Sequence, residues 1–137
     1  VDYTLESHLE GDILVVRILG RLRTMAQGEQ MVRRVLSMVQ ATGAGKLLFD
    51  VRGLTERLDL GDMFFHVRQT PRLERYVCRP VLESRDQLDY AKFFEITSAN
   101  VGQQVTTFFD EDEAMSWLRE QRGPQATMPW QRQQRLG

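Results

Sequence analysis

The sequence predicts an α/β domain in which a mostly parallel central sheet, opened by an antiparallel hairpin, is covered by about four helices. Two observations carry the class. Short runs of β-branched and aromatic residues alternate with longer stretches whose apolar residues recur every three or four positions. The first two runs are separated by too few residues for a crossover, so they pair antiparallel, whereas each later pair of strands has a helix between them. With 137 residues, 42% hydrophobic and 27% charged, the chain suits a single domain, expected over residues 1–123, followed by a mobile C-terminal tail over 124–137.

Tyr3 to Leu9 sets Tyr, Leu, Ser and Leu against Thr, Glu and His, the alternation of a half-buried strand, and Gly11-Asp12 supplies a turn. Ile13 to Leu19 (ILVVRIL) is nearly continuous apolar sequence, as a strand covered on both faces requires, and Gly20 ends it. From Thr24 onward Met31, Val32, Val35, Leu36 and Val39 mark one face of a helix that closes near Thr42-Gly43, with Gly28 weakening its first turns. Lys46 to Val51 (KLLFDV) is a short buried strand with Asp50 at its carboxyl end. A loop holding Arg52, Gly53, Thr55 and Asp59 leads into a second helix with Leu60, Met63, Phe64 and Val67 on one face, closed by Pro71.

Tyr76 to Leu82 reads as a strand in which Pro80, lacking an N–H, argues for an edge position or a bulge. Leu88, Ala91, Phe94 and Val101 fall on a third helix, with Asn100 and Gly102 suited to a left-handed cap. Val105 to Phe109 is the last strand. Asp110 to Arg122 is the best-signalled helix: Asp110 caps it, Glu113 completes a capping box, and Ala114, Trp117 and Leu118 face inward. Arg119 and Arg122 suit the negative end of its dipole, and Gly123-Pro124 stops it.

Eighteen Lys and Arg against nineteen Asp and Glu leave a net charge of −1, without the positive field that draws a chain to nucleic acid. The single cysteine, Cys78, closes no internal disulfide and completes no zinc cluster; on a strand it reads as a small buried residue in a reducing cytoplasm. Apolar runs such as Ile13 to Val16 fall far short of the roughly 20 residues of a membrane span, and the N-terminus has no basic region leading into an apolar stretch. A cytoplasmic protein without a membrane span is expected.

Phosphate-cradling GxxxxGK(S/T), dinucleotide GxGxxG, metalloprotease HExxH and esterase GxSxG motifs are absent, so no cofactor, metal or catalytic set is implied. His8 and His66 accordingly read as solvated or dipole-capping groups, and Asp50, Asp59 and Asp62 as caps and turn formers. Charge is unevenly spread. Arg68, Arg72, Arg75, Arg79 and Arg85 face two acids, Glu74 and Glu83, over residues 66–85, whereas residues 86–120 carry eight acids against Lys92 and Arg119. Such polarity suits an acidic partner, an anionic ligand or, together with an edge strand, a second copy forming a homodimer. Met63, Phe64 and Phe65 are consecutive, so a helix turns at least one of them away from its core.

The order of elements, with KLLFDVRGLT after the first helix, resembles the SpoIIAA-like fold shared by anti-sigma-factor antagonists and STAS domains, and the segments GDILVVRILGRL, TGAGKLLFDVRGLT and KFFEITSANVGQQVTTFFDEDEAMSWL look like bacterial SpoIIAA-like proteins. The resemblance spans roughly residues 3 to 120 and rests on motifs that specify fold more than activity. In the anti-sigma antagonists the loop after the central strand carries an Asp-Ser-(Ser/Thr)-Gly motif whose first serine is phosphorylated. Here the stretch is LTERLDLGD, so aligning Asp59 and Gly61 with the ends of that motif sets Leu60, which has no hydroxyl, at the acceptor position. Thr55 is the nearby hydroxyl, upstream of that position.

The resemblance therefore implies a non-enzymatic regulatory module that binds a protein partner but lacks the usual phosphoacceptor serine. Its expected contact surface is the loop from Arg52 through Thr55, Asp59, Leu60 and Gly61 and the helix bearing Phe64 and Phe65. The alternative is a carrier or sensor of a small hydrophobic or anionic, lipid-like ligand, by analogy with the lipid-binding CRAL-TRIO type, which shares the general fold and has an apolar cleft.

Overall fold

A computed structural model describes residues 2–69 and 78–121. The hairpin forms as expected, with β1 (Tyr3–Glu10) and β2 (Ile13–Arg21) paired from Glu10↔Ile13 to Tyr3↔Gly20. β2 then pairs in parallel with β3 (Lys46–Asp50) and, past the end of that strand, with β4 (Leu54–Glu56). The sequence presents residues 54–56 as loop, and three residues are too few to carry a period. The change of partner falls at Gly20, where φ is +100° and a Cβ would lie 2.3 Å from the Asp2 carbonyl oxygen. A side chain is excluded there on both counts.

β5 (Cys78–Leu82) and β6 (Gln104–Phe108) complete the sheet, in the order β1-β2-β3-β5-β6 with β4 beside β2. This corrects the edge position inferred from Pro80: β5 lies inside the sheet, parallel to both neighbours, and its register with β6 runs through Pro80↔Thr106. The Leu82 carbonyl accepts from Val51 N–H, so by alternation the main-chain groups of residue 80 also point towards β3. The paired registers with β3 are Phe49↔Val81 and Asp50↔Leu82, so the proline precedes them and its missing donor interrupts neither. The strands at the two edges are β1 and β6, which moves any edge-to-edge contact with a second copy away from β5.

Among the described residues there are four α-helices: α1 (Met25–Thr42), α2 (Leu60–Gln69), α3 (Leu88–Ala99), entered through a 3₁₀ turn at Arg85–Gln87, and α4 (Glu111–Glu120). α1 is held at its start by a full capping box between Thr24 and Gln27, and at its end by Gly43 at φ +67°, whose N–H donates to Val39 C=O. Val101 lies beyond α3, and Asn100 is right-handed; Gly102, at φ +82°, takes the left-handed position alone. In α4 Asp110 accepts from Glu113 N–H, so the forward half of the expected capping box is formed.

Alternation along the strands divides the core. Leu14, Val16 and Ile18 of β2, with Leu47, Phe49, Val81 and Val105, meet Met31, Val32, Val35 and Val39 of α1. Ile13, Val15, Leu48 and Leu82 on the opposite face meet Ala114, Met115 and Leu118 of α4. α2 packs on α1 and α3 through Met63 and Val67, which join Leu58, Tyr90, Phe93 and Phe94 in a third cluster. The expected stop at Pro71, the strand start at Tyr76 and the tail over 124–137 lie outside the described residues, as does the side chain of Cys78.

Candidate functional site

The carboxyl ends of parallel strands are where an open α/β sheet offers its main-chain ends and loops to a ligand. Here that edge is closed by two ion-pair clusters, one on each face. Asp50, 4% exposed at the end of β3, accepts from Arg52 Nε at 3.0 Å, Arg52 Nη2 at 2.9 Å, Arg52 N–H at 3.1 Å and Arg17 Nε at 3.3 Å. Glu111, the first residue of α4, accepts from Arg17 Nη2 at 3.1 Å and Arg52 Nη2 at 3.4 Å. Burial pushes the Asp50 carboxyl up, but the hydrogen bonds and charge of Arg52, joined by Arg17, outweigh it and hold the group below the usual carboxylate range. Hydrogen bonding to Glu111 raises Arg17, and hydrogen bonding to Asp50 raises Arg52. Arg52 is thus engaged with α4 and β3, a role that sequence spacing could not reveal.

On the α1 side, Glu83 is 3% exposed at the end of β5 and receives both Nη atoms of Arg57, with Nη2 to Oε1 at 2.8 Å. Arg57 also donates to Val51 C=O at 3.1 Å and stands over the Tyr90 ring, 5.6 Å from its centroid. Ser84 N–H completes the carboxylate shell at 2.8 Å. Tyr90 donates to Leu58 C=O at 2.9 Å, and burial pushes its hydroxyl up to about 12. Arg57 and Glu83 lie 26 positions apart and neither belongs to a motif, so no pattern along the chain points to this pair.

The predicted surface is assembled between these clusters. Thr55, on β4, donates its Oγ1–H to Gly20 C=O at 3.1 Å. Asp59 caps α2 by accepting from Asp62 N–H at 2.8 Å, as its residue type suggested. Leu60 is the first residue of α2 and 48% exposed, Gly61 is exposed beside it, and Phe65 is 50% exposed. Phe64 is half-buried, edge-on to Phe65 at 5.5 Å and under the Arg68 guanidinium at 4.5 Å. Of the three consecutive apolar residues, Met63 faces the core and Phe65 faces out. Loop and helix therefore present Leu60, Gly61, Phe64 and Phe65 together, while Arg52 belongs to the ion-pair cluster on the far side of the sheet.

Beneath α2 lies a cavity of about 140 Å³ between the sheet and α1, α2 and α3. Its walls include Val32, Phe49, Met63, Val67, Val81 and Phe94, and its polar lining includes Arg57, Glu83, His66, Arg79 and Gln103. His66 corrects its expected solvated or capping role. It packs against Gly28 of α1, and burial lowers its pKa, with Glu29 opposing and Arg79 reinforcing the shift. His8 does stand in solvent, with Nε2 3.2 Å from Glu10 Oε1. The sequence polarity likewise does not map simply onto the surface: Glu83 is buried, Arg79 lines the cavity, and Arg72, Glu74 and Arg75 lie outside the described residues. No group of three or more His, Cys, Asp or Glu placed to hold a metal occurs among the described residues. No helix among them is long and apolar enough to cross a membrane.

Two solved structures share this architecture over most of the chain. An anti-sigma factor antagonist from Mycobacterium paratuberculosis is similar with a TM-score of 0.56 and 11% identity, over 86% of this chain and 95% of that one. An uncharacterised protein of the DUF3478 family with a SpoIIAA-like fold, from Shewanella loihica, is similar with a TM-score of 0.51 and 18% identity, over 85% and 93%. No protein-family model and no curated protein matches the chain. At these identities the likeness is one of fold, and the fold is SpoIIAA-like.

Proposed function

We propose that this SpoIIAA-like chain is a non-enzymatic regulatory module that docks a protein partner on the outer face of α2 and the adjoining loop. The observation that carries the reading is the arrangement of α2. Met63 and Val67 satisfy the core, yet Leu60 and Phe65 stand about half exposed on the other side with Phe64 between them. Apolar area of this kind, beside a loop fixed by hydrogen bonds, is what a partner buries at the centre of an interface. The anti-sigma factor antagonist with the same fold supports a regulatory role by analogy.

The absence of a phospho-switch is part of the proposal. Leu60 offers no hydroxyl where the resemblance sets the acceptor, and the Thr55 hydroxyl is engaged with Gly20 C=O. A second reading, a carrier or sensor of a small ligand, is favoured by the cavity beneath α2. A soluble, cytoplasmic location agrees with either reading.

The docking reading is tested by capture from an extract of the source cells, followed by titration of the captured protein in purified form. Leu60→Asp and Phe65→Asp are expected to weaken binding at least tenfold, while Ile96→Asp, on the exposed side of α3, leaves it unchanged. A partner bound equally well by all three variants overturns the assignment of the surface.

A further inference from the structure

Among the described residues, the cavity beneath α2 holds one cation, Arg79, that no carboxylate pairs with. Arg79 points from β5 to the same sheet face as Val81 and lines the cavity, donating through Nη2 to the side-chain Oε1 of Gln103 and standing 5.9 Å from the Phe49 ring centroid. Its Nε is buried and has no hydrogen-bond partner, and no carboxylate pairs with it, among the described residues. Burial pulls the guanidinium down to about 10, so it remains charged at neutral pH. The other charges in the lining, Arg57 and Glu83, are already joined to each other. A partly buried charge and a buried, unmade hydrogen bond are each costly to keep, so among the described residues the cavity leaves one positive charge and one donor unmatched.

The rest of the lining defines what carries that charge. From residue 79 to residue 83 the strand advances about 13 Å, so the open cation and the closed Arg57–Glu83 pair mark two ends of a largely apolar passage. Its volume of about 140 Å³ is close to that of an engineered apolar cavity known to take up benzene, roughly 150 Å³. We infer that this cavity binds a small apolar monocarboxylate, of the order of a benzoate or a short-chain fatty acid. The carboxylate meets Arg79 Nε, and the hydrocarbon lies along Phe49, Val81, Met63 and Phe94. A monoanion neutralises the site, whereas a dianion or a cation does not. This deepens the ligand-binding reading and is independent of docking on the outer face of α2: loss of either leaves the other standing.

The test is calorimetric titration of the full chain with pentanoate and benzoate, each set against its neutral counterpart, 1-pentanol and benzyl alcohol. At least one acid is expected to bind, and at least tenfold more tightly than its alcohol. Arg79→Met should abolish that preference, and Ala91→Leu, which adds bulk to the α3 wall, should weaken acid and alcohol alike. Should Arg79→Met fail to fold, the acid-to-alcohol ratio on the unaltered chain still decides. Absence of binding by both acids, equal binding of acid and alcohol, or acid binding indifferent to Arg79→Met each overturns the inference.

Discussion

The imidazole of His66 on α2 lies against the bare Cα of Gly28 on α1. A Cβ built on Gly28 would come within 2.9 Å of His66 Cε1 and 3.0 Å of Nδ1. In isolation the glycine weakens the helix by about 1 kcal/mol relative to alanine. Here that local cost permits the two helices to approach over the cavity. Gly28→Ala is therefore expected to destabilise the fold by about 1–3 kcal/mol, opposite in sign to its helix propensity. Urea unfolding of Gly28→Ala, His66→Ala and the double variant measures this: the two losses should not add, and a Gly28→Ala chain more stable than the parent refutes the steric account.

The same contact makes stability depend on pH. The folded imidazole titrates below its ordinary value, chiefly because it is buried. Near and below an ordinary histidine pKa of about 6.5 the unfolded chain binds the proton that the folded chain declines, so stability falls as pH drops from about 7 towards the folded pKa. The charges acting on the ring are Glu29, which opposes the shift, and Arg79, which adds to it. Urea midpoints between pH 7.5 and 5 should decline in the parent and flatten in His66→Gln. His8→Gln, altering an exposed histidine, should leave the slope in place.

Glu83 and Arg57 form the more deeply buried ion pair, at 3% and 10% side-chain exposure. Removing one partner strands the other, so Glu83→Ala should cost about 3–5 kcal/mol. Replacing both, as Arg57→Met with Glu83→Leu, should cost less than Glu83→Ala alone. Equilibrium unfolding of Arg57→Met, Glu83→Leu and the double variant beside Glu83→Ala supplies the comparison, and additive losses of the two single variants contradict a coupled pair.

Asp50 is buried while its partners Arg17 and Arg52 are more than one-third exposed, which moderates the stabilisation. Asp50→Asn is expected to cost about 1–3 kcal/mol at pH 7, and Glu111→Gln less than about 1 kcal/mol. The depressed Asp50 pKa contributes stability above the ordinary carboxylate value, and that contribution is lost as pH falls through the folded pKa. Acid unfolding should show this loss in the parent, with a smaller decline in Asp50→Asn.

The strands and helices were legible wherever burial imposes a period. The alternation of Tyr3 to Leu9, the continuous ILVVRIL and the capped helix after Asp110 all appear close to where they were expected. What failed were inferences from single residues. Pro80 suggests an edge when nothing shows which neighbour its nitrogen faces, and His66 suggests solvent when the glycine opposite it, 38 positions upstream, is not yet known to be adjacent. β4, three residues long and paired only with the far end of β2, carries no period of its own. At the candidate site, exposure of Phe65 follows from three adjacent apolar residues on one helix, but the engagement of Arg52 and the cavity cation Arg79 arises from contacts distant in sequence.

The segment from Arg52 to Asp59 is tied to the body almost residue by residue. Arg52 is fixed on Asp50, the Gly53 carbonyl on Gly20 N–H, the Thr55 hydroxyl on Gly20 C=O, the Glu56 carbonyl on Leu22 N–H, Arg57 on Glu83, and Asp59 on the first turn of α2. A surface secured in this way surrenders little conformational entropy when it is covered. Complex formation at Leu60 and Phe65 then resembles the meeting of two finished shapes more than the folding of a loop around a guest, and its kinetics should be those of rigid association.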